Sequence, residues 1–165
     1  MLFRSNITAG EGWGCVLADC VGPGYERYVG KIQITDNTFT YQGDGNQCVH
    51  MVARDTSFTG NTVHVKGSSL GVRGEGPPPQ TLTIKDNKCS MGTGAGVMIA
   101  SSRIDGSTIT GNNITGSGAH GIHVASPEKP NEGKHVIRGN TVTGYREALF
   151  IESALHPGTK LTGKK

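Results

Sequence analysis

The sequence predicts an all-β fold, a single-stranded right-handed parallel β-helix (a solenoid) of about six coils. Two observations carry this. An apolar-x-[Gly/Asp]-Asn-x-apolar phrase recurs along the chain, and each copy is followed, after a Gly-rich bend, by a second short alternating run. Asn37 sits in IQITDNTF, Asn61 in TSFTGNTV, Asn87 in LTIKDNKC, Asn112 in TITGNNIT and Asn140 in HVIRGNTV. Their separations are 24, 26, 25 and 28 residues, and a period of this size marks a solenoid. A poorer copy starts at LFRSNITA, around Asn6.

Each element follows from its local chemistry. The second runs are GCVLAD (14–19), CVHMVA (48–53), SLGVRG (69–74), GVMIAS (96–101), GIHVAS (121–126) and ALFIES (148–153). Apolar residues alternate in short stretches and no helical period persists, so the runs are strands. The 26 glycines among 165 residues disfavour helices and suit tight corners. Thr, Val and Ile between the corners fit a pleated, half-buried surface. The Asp-Asn and Gly-Asn pairs fit corners with left-handed backbone, placed on the Asn, and stacked Asn side chains can bond along the axis as a ladder. Stacking by way of parallel crossovers gives the right hand. The β-helix is expected over 1–155, with a polar tail over 156–165.

The Asn phrase followed by Gly-apolar-x-apolar resembles the parallel β-helix repeat of the pectate-lyase-like superfamily, over roughly residues 2–155. The resemblance implies a polysaccharide partner and an extracellular, cell-surface or virion-surface location. It does not select among lyases, hydrolases, epimerases, tailspikes and adhesins, because function resides in sites and not in the fold.

Composition narrows the classes. Net charge is +3 from 16 basic and 13 acidic residues, mixed along the chain, and no Lys/Arg cluster stands out before the terminal GKK. One Trp, four Tyr and four Phe supply few stacking platforms, so nucleic acid is not an expected partner. No stretch approaches the apolar length of a membrane helix. MLFRSNITAG has neither the apolar core nor the cleavage site of a signal peptide, and it lacks a capping element. The chain therefore reads as a segment of a longer protein, or as a module that associates end to end or as an oligomer through uncapped coils. Cys15, Cys20, Cys48 and Cys89 form no paired zinc spacing and read as free structural thiols. Asn6-Ile7-Thr8 and Asn113-Ile114-Thr115 match a glycosylation sequon.

Alignment of the second runs predicts which side chains face out. Val49/Met51, Leu70/Val72, Val97/Ile99, Ile122/Val124 and Leu149/Ile151 are expected inside. Val16, His50, Gly71, Met98, His123 and Phe150 form the expected outward column, and Ala18, Val52, Arg73, Ala100, Ala125 and Glu152 a second one. At ~4.8 Å per coil, His50 and His123 are ~14 Å apart and cannot share a metal. No acidic cluster suited to a hard cation is assembled, so no metal and no cofactor is expected.

The same columns bear on chemistry. A two-carboxylate glycoside hydrolase is disfavoured, because Glu152 is the acid on these columns while Asp36 and Asp86 sit at corners two coils apart. If the chain is an enzyme, a lyase or epimerase is the expected class. It would have His123 as general base and Arg103 neutralising a substrate carboxylate, or His50 with Arg54 in the same roles. His50, Arg54, Arg73, Met98, Phe150 and Glu152 are the expected substrate contacts, with arginines pairing to carboxylates of an acidic polysaccharide. The insertions at 20–31, 73–80 and 126–135 all follow the second strand and are expected to wall a groove. A non-catalytic structural or adhesive module is the alternative. An ice-binding face is disfavoured, because the Thr38, Thr62, Thr141 column is interrupted at Lys88 and Asn113.

Overall fold

The computed structural model describes residues 2–3, 6–9, 16–18, 31–45, 47–51, 55–74, 81–100, 106–125, 134–152 and 160–161. Each coil contributes three short strands, one to each of three parallel sheets. The first sheet stacks seven strands: β1 (Leu2–Phe3), β4 (Lys31–Thr35), β7 (Asp55–Thr59), β10 (Thr81–Lys85), β13 (Gly106–Thr110), β16 (Lys134–Arg138) and β19 (Lys160–Leu161). The second holds β2 (Asn6–Ala9), β5 (Thr38–Tyr41), β8 (Thr62–Val65), β11 (Lys88–Ser90), β14 (Asn113–Thr115) and β17 (Thr141–Thr143). The third holds β3 (Val16–Ala18), β6 (Gln47–Met51), β9 (Leu70–Gly74), β12 (Val97–Ala100), β15 (His120–Ala125) and β18 (Glu147–Ile151). The structure is a right-handed parallel β-helix, as the repeat predicts. Lys160–Leu161, within the C-terminal segment, pairs with β16.

The asparagine ladder sits at the corner between the first and second sheets. Asn37 Nδ2 donates to Asn61 Oδ1 at 3.1 Å, and the same link joins Asn61 to Asn87 at 3.2 Å, Asn87 to Asn112 at 2.8 Å and Asn112 to Asn140 at 2.9 Å. Each acceptor oxygen also takes the backbone N–H of the Asn below it. The second Nδ2 hydrogen of Asn61, Asn87, Asn112 and Asn140 goes to the carbonyl of Ile34, Phe58, Ile84 and Ile109 respectively. Asn37, Asn61, Asn87 and Asn112 are buried, and a buried amide is tolerated only when its donors and acceptor are all used in this way.

The left-handed residue of this corner is the one before each Asn, not the Asn itself. Asp36 and Asp86 have φ of 56°, and Gly60, Gly111 and Gly139 have φ of 69°, 69° and 62°. The Asp36 and Asp86 carboxylates lie over Gly60 and Gly111 of the next coil, where a Cβ would collide with them, while Gly139 faces no such carboxylate. The copy at Asn6 also shifts: Asn6 pairs with Thr38, one position beyond the ladder.

The core is a set of apolar columns. Ile34, Phe58, Ile84, Ile109 and Ile137 line the first sheet, Phe39, Val63, Cys89, Ile114 and Val142 the second, and Val49, Val72, Val97, Ile122 and Leu149 the third. Most of these side chains are fully enclosed, each contributing roughly 1.5–3 kcal/mol on burial. Cys48 and Cys89 are buried in the apolar core. Cys15 and Cys20 lie outside the described residues.

Two registers differ from the sequence reading. Val72, not Leu70, pairs with Val97 and Val49, while Leu70 pairs with Gln47. Arg73 therefore takes the outward place assigned to Gly71, and Gly74 takes the inward one. Leu82 fills the space that a side chain at Gly74 would need. A slip of two residues preserves alternation, so periodicity alone cannot detect it. In β3, Leu17 rather than Val16 pairs with His50.

Candidate functional site

The outward column of the third sheet runs His50, Arg73, Met98, His123, Phe150 in direct parallel register. Met98 and Phe150 flank His123 on adjacent strands, as the sequence predicts. The column is not uniformly open. His50 occupies an outward register position yet is only 8% exposed, so it is no surface contact. Arg73, Met98, His123 and Phe150 are half-buried.

The second expected column does not form as drawn. Arg73 belongs to the first column, Ala18 pairs with the inward Met51, and Ala125 is buried. Glu152 instead follows β18 and turns toward His123. Its Oε1 lies 2.7 Å from His123 Nε2, with side-chain exposures of 17% for the His and 34% for the Glu.

A residue absent from the sequence reading completes the cluster. His120 stacks on Phe150 with ring centroids 4.1 Å apart and planes 9° from parallel. His123 approaches both rings, 5.3 Å from His120 and 5.3 Å from Phe150. Residues three apart on an alternating strand point to opposite sides, but β15 begins irregularly. Gly121 and Ile122 are both buried, so His120 and His123 emerge on the same face. Gly121 is required there, since a Cβ would meet Val142 and Tyr145. The signal in the sequence was the His-x-x-His spacing with Gly in second place.

Arg54 and Arg103 lie outside the described residues, as do most of the insertions expected to wall the groove. The ends of those insertions that are described belong to strands: Lys31 to β4, Arg73 and Gly74 to β9, and Lys134 and His135 to β16. His135 is fully buried and bonded to Ser107, so it forms no part of a wall.

A family model described as periplasmic copper-binding protein (NosD) matches residues 14–162. The chain belongs to the NosD family. Neither a curated protein nor a solved structure matches it. NosD membership agrees with the parallel β-helix and, in a coarse sense, with a location outside the cytoplasm.

Proposed function

We propose that this NosD-family chain is a periplasmic ligand-binding module that holds an acidic polysaccharide along the outer face of its third sheet. The observation that supports this most is the column Arg73, Met98, His123, Phe150, which presents one side chain per strand. Its rise of ~4.8 Å per strand is close to the length of one sugar in an extended chain. A glycan lying along the axis would meet one side chain per residue. Arg73 would pair with a uronate carboxylate, the Phe150 and His120 rings offer apolar faces, and Glu152 can accept hydroxyl hydrogens.

An array of acidic and neutral glycans tests the reading, together with a screen for unsaturated uronate products. Retention of acidic glycans, weakened by Arg73→Ala and by Phe150→Ala, is the expected result. Equal retention by wild type and both variants would exclude this face. No retention by folded protein would favour a structural module, a reading that the continuous asparagine ladder supports by stiffening the rod along its axis.

The family description also carries copper, and the donors for it are few. Among the described residues, no three of His, Cys, Asp and Glu are grouped to hold a metal. The Cys89 thiol is pushed up to about 12 by burial and is enclosed in the apolar column between Val63 and Ile114. The imidazoles of His120 and His123 lie with ring centroids 5.3 Å apart, and Met98 is the strand partner of His123.

A further inference from the structure

We infer that Glu152 determines specificity: the outer face of the third sheet takes a glycan with widely spaced uronates and rejects contiguous polyuronates. The inference rests on the glycan reading of this face and names the class of chain it accepts.

The charges of the third sheet are segregated along the solenoid axis. Among its described residues, Arg73 on β9 is the cation. Both carboxylates stand at the other end, where Glu147 begins β18 and Glu152 directly follows it. Glu147 is exposed and is the register partner of His120. Glu152 is held beside His123, its Oε1 2.7 Å from Nε2. Met98 lies between the two ends and carries no charge.

Spacing converts this segregation into selectivity. Only β12 separates β9 from β15, so Arg73 and the His123–Glu152 pair are two strand spacings, ~9.6 Å, apart. At about one sugar per strand, a uronate on Arg73 puts the next sugar over Met98 and the one after over Glu152. Alternate sugars of an extended ribbon turn the same edge to the surface beneath. A polyuronate that gives one carboxylate to Arg73 therefore presses another against Glu152, and like charges in contact oppose binding. Sliding the chain brings no relief, because every register of a homopolymer is the same. An alternating uronate copolymer fails likewise, since its alternate sugars are alike.

A chain with one uronate among three or more sugars avoids the clash. The sugar over Glu152 then offers a hydroxyl or amide hydrogen, which an ionised carboxylate can only accept. Attraction at Arg73 and at Glu152 then operates in one pose. The aromatic pair at the acidic end agrees with an uncharged sugar there. His120 and Phe150 stack with centroids 4.1 Å apart, and such rings suit the apolar face of a neutral hexose.

Titration of the whole chain with defined tetrasaccharides at pH 8 and low ionic strength tests this, since salt would screen exposed charges. The probes are a tetrauronate, tetrasaccharides with a single uronate at either end and three neutral hexoses, and a neutral tetrahexose. Wild type should bind one of the single-uronate probes at least about fivefold more tightly than the tetrauronate, the effect of one like-charge contact in a solvated site. Glu152→Gln, which keeps an acceptor, should raise tetrauronate affinity and leave the single-uronate probe nearly unchanged. Arg73→Ala should weaken both acidic probes. A tetrauronate bound as tightly as the single-uronate probes, or a Glu152→Gln chain with unaltered preference, would overturn the selectivity while leaving the glycan face standing. Binding of every probe equally by wild type and Arg73→Ala, or of none by folded protein, would overturn both.

Discussion

Ser107 Oγ and His135 Nδ1 share a 2.8 Å hydrogen bond inside the solenoid, in a column otherwise occupied by Ile32, Thr56 and Leu82. Burial lowers the His135 pKa to about 4, so the ring is neutral in the folded protein. In the unfolded chain it titrates near the ordinary value of ~6.5. Between those values the unfolded state binds a proton that the folded state does not, and stability falls as pH drops through the window. The expected loss is on the order of 2–3 kcal/mol between pH ~6.5 and ~4. Denaturant melts of wild type and His135→Leu across that range check it, and the variant's profile should be flatter. Identical slopes would mean that other groups dominate acid sensitivity.

The ladder makes a second expectation. Asn112 is bonded to Asn87, Asn140 and the Ile84 carbonyl. Asn112→Ala strands the Asn87 donors and the Ile84 acceptor in the interior, at ~1–3 kcal/mol for each group left unsatisfied. Asn112→Asp keeps an acceptor for Asn87 but loses both Nδ2 donors, to Ile84 and to Asn140, and at neutral pH it sets a buried carboxylate against those two oxygens, so it should be the harsher change there. Thermal melts at neutral pH should rank wild type above Ala and Ala above Asp. A silent Asn112→Ala would remove the ladder as a source of stability.

The corner before the ladder separates backbone strain from collision. Gly111 and Gly139 are both left-handed, but only at Gly111 would a Cβ meet a side chain, the Asp86 carboxylate. Gly139→Ala should therefore cost only the backbone term of ~1–2 kcal/mol. Gly111→Ala should cost more, and replacing Asp86 by Gly in the same chain should recover the difference. Equal costs at the two sites would show that the Asp86 carboxylate simply swings aside.

The period of the Asn phrase made the coil, the ladder corner and most inward columns legible in the sequence. These features repeat, and each copy checks the others. What failed to read was what breaks repetition. Gly74 has no side chain to mark its inward place, so a two-residue slip put Arg73 where Gly71 was expected. The apolar run Val16-Leu17-Ala18 offered no alternation to choose a face. His120 escaped because it precedes the regular part of β15, and Gly121 bends the pattern that would have sent it elsewhere. Burial of His50 was equally invisible, since register fixes direction but not what else packs against a face. The contact between Glu152 and His123 depends on a turn beyond the end of β18, which no period encodes.

Cys89 gives the last test, of the middle of the rod. It stands in the apolar column between Val63 and Ile114 and is 3% exposed. Its thiol, raised to about 12 by burial, offers almost no thiolate near neutral pH. Alkylation of Cys89 should therefore proceed only through opening of the coil, at a rate that tracks denaturant-induced unfolding. Cys89→Val, which keeps the apolar volume, should cost less than ~1.5 kcal/mol. Cys89→Ser should cost ~1–3 kcal/mol by burying a hydroxyl without a partner. Peptide mapping after timed alkylation identifies the modified residue. Labelling of Cys89 in native buffer at the rate of a free thiol would mean that the middle coils open far more readily than their packing implies.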